Sequence, residues 1–145
     1  MSRRVSVHHF VANMTTTQSG PHPTSNLLGV DYWYDVPADA EFPRRIGRMD
    51  LFTRFYLTRA RPVEFFVRVL WLDVPTGGPR IIGRYGPELM SFRPDETVRD
   101  HVFKAVNLQV EGPGLHRILL LRERPANWRG RRFAVLAETH FFVRR

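Results

Sequence analysis

Apolar residues recur at every second position in short runs along this chain. Val63-Glu64-Phe65-Phe66-Val67-Arg68-Val69-Leu70-Trp71-Leu72-Asp73 and Arg131-Arg132-Phe133-Ala134-Val135-Leu136-Ala137-Glu138-Thr139-His140-Phe141-Phe142-Val143 are the clearest. Such alternation sends odd and even side chains to opposite faces of a pleated strand, so it reports a sheet with one face in a core. Further strands are expected over residues 4–12, 26–36, 49–58, 101–110 and 115–122, with a weaker one over 80–92. The runs 49–58 and 63–73 read as a consecutive antiparallel pair, and 115–122 with 131–143 as a terminal hairpin.

Between the runs lie turn and loop signals. Pro75-Thr76-Gly77-Gly78-Pro79 and Glu111-Gly112-Pro113-Gly114 are turns, and 13–25 and 37–48 are polar loops. One segment supports two readings. Residues 94–106 open with an acidic turn behind a candidate Asp95 cap and place Val98, Val102, Ala105 and Val106 at helical spacing. The same residues overlap the strand expected over 101–110. Regular strand spacing with Gly and Pro turns points to an all-β fold of about seven or eight strands, an antiparallel β-sandwich or a barrel rather than a βαβ fold.

Three pieces carry a family resemblance: Asn26-Leu27-Leu28-Gly29-Val30-Asp31; Val106-Asn107-Leu108-Gln109-Val110 leading into Gly112-Pro113-Gly114-Leu115-His116-Arg117-Ile118; and the closing Glu138-Thr139-His140-Phe141-Phe142-Val143. Together they resemble an uncharacterised bacterial family of single-domain immunoglobulin-like β-sandwich proteins. The resemblance implies one immunoglobulin-like domain over 1–145, favours strand over helix for 101–110, and brings no catalytic residues. The chain departs from that pattern in the long 13–25 loop and in an enlarged Arg-rich hairpin, 122–132.

Length and composition narrow the rest. A chain of 145 residues is expected to be one domain with a core of its own. It has no cysteine, which excludes disulfides, Cys-ligated zinc and thiol nucleophiles. No stretch approaches the roughly 20 apolar residues of a membrane helix. Arg3-Arg4 is followed by His8 and His9 where an export signal would be apolar, so cytoplasmic residence is expected. The formal net charge is +8, but only Lys104 among 22 basic residues is lysine. An Arg bias beside 11 Pro and 10 Gly also fits a GC-rich genome, and the excess is spread along the chain.

Catalytic motifs do not emerge: there is no Walker loop, dinucleotide-binding fingerprint, nucleophile elbow or His-Glu-x-x-His. Glu138 and His140, two apart on a strand, could share a metal with His8 or His9. Histidines on polar strand faces are more simply satisfied by solvent or a carbonyl. Asp31 with Asp35, and Asp95-Glu96 with Asp100, read first as caps or arginine partners. Neither metal nor cofactor nor small-molecule substrate is expected.

Two surfaces stand out. If Val63, Phe65, Val67, Val69 and Trp71 face the core, Phe66, Leu70 and Leu72 point outward. With Phe133, Val135, Ala137 and Phe141 inward, Leu136 and Phe142 also point out, and Trp33 joins them from 26–36. Outward apolar residues on neighbouring strands make a patch that monomers usually avoid. This predicts a non-catalytic binding or assembly module contacting itself or another protein. The alternative is nucleic-acid or polyanion binding by Arg122, Arg124, Trp128, Arg129, Arg131 and Arg132, where guanidinium forks surround an indole on a hairpin tip.

Overall fold

The computed structural model describes residues 5–18, 24–30, 33–46, 49–57, 62–91, 98–105, 108–124 and 129–145. Among them the chain is all-β, with no helix. Its strands are β1 (Val5–Gln18), β2 (Thr24–Val30), β3 (Trp33–Asp35), β4 (Arg44–Arg45), β5 (Met49–Leu57), β6 (Val63–Trp71), β7 (Arg80–Met90), β8 (Val98–Ala105), β9 (Gln109–Val110), β10 (Gly114–Glu123) and β11 (Phe133–Arg144). A four-stranded sheet has the order β2-β1-β5-β8, and a five-stranded sheet has the order β3-β11-β10-β6-β7. A short antiparallel β4–β9 pair forms a third, two-stranded sheet. No helix among the described residues is long and apolar enough to cross a membrane.

The core forms where the two sheets face each other. On β6 every odd residue from Val63 to Trp71 is buried, as the alternation predicts. Met49, Leu51 and Phe55 of β5 meet them from the other layer, with the Phe55 and Phe65 rings 5.4 Å apart. Each fully buried side chain of this size stabilises the fold by about 1.5–3 kcal/mol relative to exposure. Along one edge β1 approaches β11, so the layers close toward each other there.

Several expectations are corrected. The runs 49–58 and 63–73 do not pair: β5 pairs with β1 and β8, and β6 with β10 and β7. Their apolar faces are satisfied by stacking across the core, so the chain crosses from one layer to the other between them. The expected 13–25 loop is mostly strand, because β1 runs on to Gln18 and β2 starts at Thr24 in register with it. The β-branched Thr15, Thr16 and Thr17 suit a pleated backbone despite their polarity. The expected strand 26–36 divides between the sheets, as β2 and β3. Because β3 runs parallel to β11, the five-stranded sheet is mixed rather than wholly antiparallel. Residues 98–105 are strand, closing the helical reading there, while 92–97 lie outside the described residues.

Phe133 and Val135 were expected inward and Leu136 outward, and the reverse holds. Leu120 opposes Ala137 whereas Leu121 opposes Val135, so Leu136 is an extra residue in β11. This bulge flips the alternation. Leu136 packs against the core, and Val135 is 56% exposed. Leu136 therefore leaves the expected contact surface.

The turn before β10 is tied to the core by two glycines. A Cβ on Gly112 would collide with the Trp71 indole, whose Nε1 donates to the Pro113 carbonyl at 2.9 Å. Gly114 takes a positive φ of 106°, and the next amide, Leu115 N–H, donates to Asp73 Oδ2 at 2.7 Å.

Candidate functional site

The outer face of the five-stranded sheet collects most of the residues singled out from sequence. Register places them in rows. Phe142 lies opposite both Trp33 and Leu115. In the next row His140 opposes Arg117, Arg117 opposes Leu70, and Leu70 opposes Ile81. Glu138, Leu119, Arg68 and Arg84 follow, and then Val135, Leu121 and Phe66. Of the exposed large apolar side chains among the described residues, Trp33, Ile81, Leu89 and Val135 belong to this sheet, and only Val98 does not. Phe66, Leu70, Leu72 and Phe142 are half-buried, facing outward as expected.

One end of this face is neutralised internally. Trp33 and Phe142 pack at 5.2 Å between ring centroids, and the Arg144 guanidinium lies 4.8 Å from the Trp33 centroid. Asp35 accepts from Arg144 Nε at 2.6 Å and Nη2 at 3.1 Å, and this contact holds the Asp35 carboxyl below the usual carboxylate range. A shallow cavity of about 300 Å³ opens beside them, lined by Trp33, Leu115, Glu138, Thr139, His140 and the two phenylalanines 141 and 142. Arg117 Nε donates to His140 Nε2 at 3.3 Å and sits 3.7 Å from Glu138 Oε2. His140 Nε2 thus acts as the acceptor of this contact.

The other end is built differently. Phe66 and Phe133 meet edge to face at 5.3 Å, and the Arg68 guanidinium lies 5.5 Å from each ring. Arg68 Nη1 donates to the Val67 carbonyl at 3.1 Å, which fixes it over the rings. Arg132 covers Phe133 from 5.1 Å while its Nε pairs with Glu123 at 2.7 Å. Burial, then the charges of Arg84 and Arg132, push the Arg68 pKa down. Among the described residues no carboxylate pairs with Arg68 or Arg84.

The Arg-rich hairpin is only partly brought to this site. Arg122, Arg129 and Arg131 are exposed, Arg124 Nη1 donates to the Arg131 carbonyl at 3.2 Å, and Arg132 alone reaches the aromatic pair on the sheet. Trp128 lies outside the described residues. Arg68 and Arg84 were missed by sequence reasoning, because only the β6–β7 register brings them together. The carboxylates weighed for chemistry are separated: Asp35 holds Arg144, and Asp100 forks with Arg54 at 2.7 and 3.0 Å. Asp31, Asp95 and Glu96 lie outside the described residues, as do the side chains of His8 and His9. Among the described residues no three His, Asp or Glu side chains gather as metal ligands.

No protein-family model matches the chain, and no curated protein matches it. In fold it is similar to a β-glucosidase from Listeria innocua. Against that enzyme in complex with gluconolactone the TM-score is 0.51 at 11% identity, covering 98% of this chain and 16% of the other. Against its complex with isofagomine the TM-score is 0.50 at 9% identity, covering 97% and 16%. The chain thus spans a small part of that protein's length, and at such identity the likeness is one of fold.

Proposed function

We propose that this chain is a non-catalytic, immunoglobulin-like β-sandwich module that contacts itself or another protein through the outer face of its five-stranded sheet. The strand order supports the immunoglobulin-like reading: β2, β1, β5 and β8 lie in one layer, β3, β11, β10, β6 and β7 in the other, and the chain passes between the layers after β2, β3, β5, β7 and β8. The observation carrying the function is the apolar row of Trp33, Phe142 and Leu115, with Leu70 and Ile81 on the β6–β7 side of the next row. Isolated outward apolar residues need no partner, but adjacent rows across neighbouring strands mark contact surfaces. The face is a better docking surface than the β7 edge. That edge carries Gly86-Pro87 and two register breaks against β6, features that discourage strand addition.

Size-exclusion chromatography with light scattering, at low and high salt, tests this together with carbene footprinting of Trp33, Ile81 and Phe142. A discrete multimer that survives salt and is dispersed by Leu70→Arg supports the reading. So does a monomer whose face labels freely. A monomer in which those side chains are shielded by its own chain contradicts it.

A further inference from the structure

We infer that the Phe66–Phe133 end of this face is a binding site for single-stranded nucleic acid, with Arg68, Arg84 and Arg132 holding its phosphates. The inference stands apart from the protein-contact reading and rests on a different observation. Arg68 and Arg84 face each other directly across β6 and β7. Like charges at directly opposed positions destabilise a sheet. Arg132 adds a third cation, shared with Glu123 and laid over Phe133. A bound phosphodiester supplies the negative charge that no carboxylate among the described residues brings to Arg68 or Arg84.

The aromatic floor decides among polyanions. Phe66 and Phe133 are half-buried, Val135 beside them is 56% exposed, and the guanidinium carbons of Arg68 and Arg132 lie 5.5 and 5.1 Å from the ring centroids they cover. Unpaired bases can cover apolar side chains and stack on guanidinium or phenyl planes. A duplex presents mainly its phosphates, and inorganic polyphosphate has no bases at all. The site is built without the hairpin tip: among the described contacts of the hairpin arginines, Arg132 at its base is the one that reaches the floor.

Fluorescence anisotropy with a labelled thymidine oligonucleotide, its duplex and tripolyphosphate tests the inference, alongside thermal melts of the free protein. The expected result is preference for the single strand over both other probes. Arg84→Gln should weaken that binding about tenfold and shrink the log–log salt slope by about 0.7, the value for one phosphate contact on a single strand. The same change should leave the free protein's melting temperature unchanged or higher, because it removes a like-charge pair. Arg129→Gln at the tip should have the smaller effect on binding. No binding at low salt, equal binding of duplex, or loss on Arg129→Gln with Arg84→Gln unaffected would each overturn it.

Discussion

In the four-stranded sheet Arg54 sits directly opposite Asp100, and in the five-stranded sheet Arg68 sits directly opposite Arg84. The geometry is the same and the charge match is reversed. Arg54 makes a forked pair at 2.7 and 3.0 Å, and Asp100 holds its guanidinium more firmly protonated. Arg68 turns instead to backbone carbonyls and phenyl rings, and burial with its cationic neighbours lowers its pKa. Arg144 over Trp33 repeats the first solution, with Asp35 as the carboxylate. A cation with a carboxylate in place is a finished structural contact. A cation over aromatics with a second cation opposite is a contact awaiting an anion.

That comparison can be broken most severely from below. Phe65 lies between the layers against Phe55 and His101, so Phe65→Ala should cost about 3–5 kcal/mol and loosen both arginine pairs together. Chemical denaturation would measure it. A loss under about 1 kcal/mol would mean that the sheets do not share this core.

Acid should separate the ends next. His116 stacks on Phe141 at 4.7 Å, donates its Nδ1–H to the Gly114 carbonyl at 3.0 Å, and has a buried Nε2 with no partner among the described residues. Burial lowers its pKa from 6.5, and burial lowers that of His101 likewise. Below about pH 6.5 the unfolded chain therefore takes up protons that the folded chain does not. Stability is complete above that pH and falls as pH drops toward the depressed folded values. Melting temperatures from pH 7.5 to 5 should decline, and His116→Phe should reduce the decline. An identical slope in that variant would remove His116 from the account.

Exchanging the two charge arrangements comes third. Asp100→Arg should turn the Arg54 position into a copy of the Arg68–Arg84 pair and cost about 1 kcal/mol, allowing for partial exposure. Arg84→Asp should do the opposite, gaining a few tenths of a kcal/mol while abolishing oligonucleotide binding. Paired melts would show it, and stability changes of equal sign in the two variants would refute the comparison. The smallest effect is expected from Asp35→Asn, which removes the Asp35 charge from Arg144 over Trp33. It should add weak, salt-sensitive oligonucleotide binding at that end, read as a slightly steeper salt slope.

How much of this is readable in sequence depends on the range of the interaction. The β6 alternation, the β10–β11 hairpin and the outward Trp33, Phe66, Leu70 and Phe142 follow from local two-residue periodicity. The bulge at Leu136 does not, because one unpaired residue leaves no mark on composition yet reverses every face before it. Nor does the separation of β5 from β6, which depends on which layer each apolar face meets. The arginine count drew attention to 122–132, where the charges are adjacent in sequence. Arg68, Arg84 and Arg132 become neighbours only through strand register, a nonlocal property that a run of charges cannot reveal.

The most direct measurement follows arginine Nε–H resonances while the thymidine oligonucleotide is added to the intact protein. The account predicts that Arg68, Arg84 and Arg132 shift together and saturate, while Arg54 and Arg144, already held by Asp100 and Asp35, stay in place. Shifts confined to Arg122, Arg129 and Arg131, or spread equally to Arg144, would contradict it.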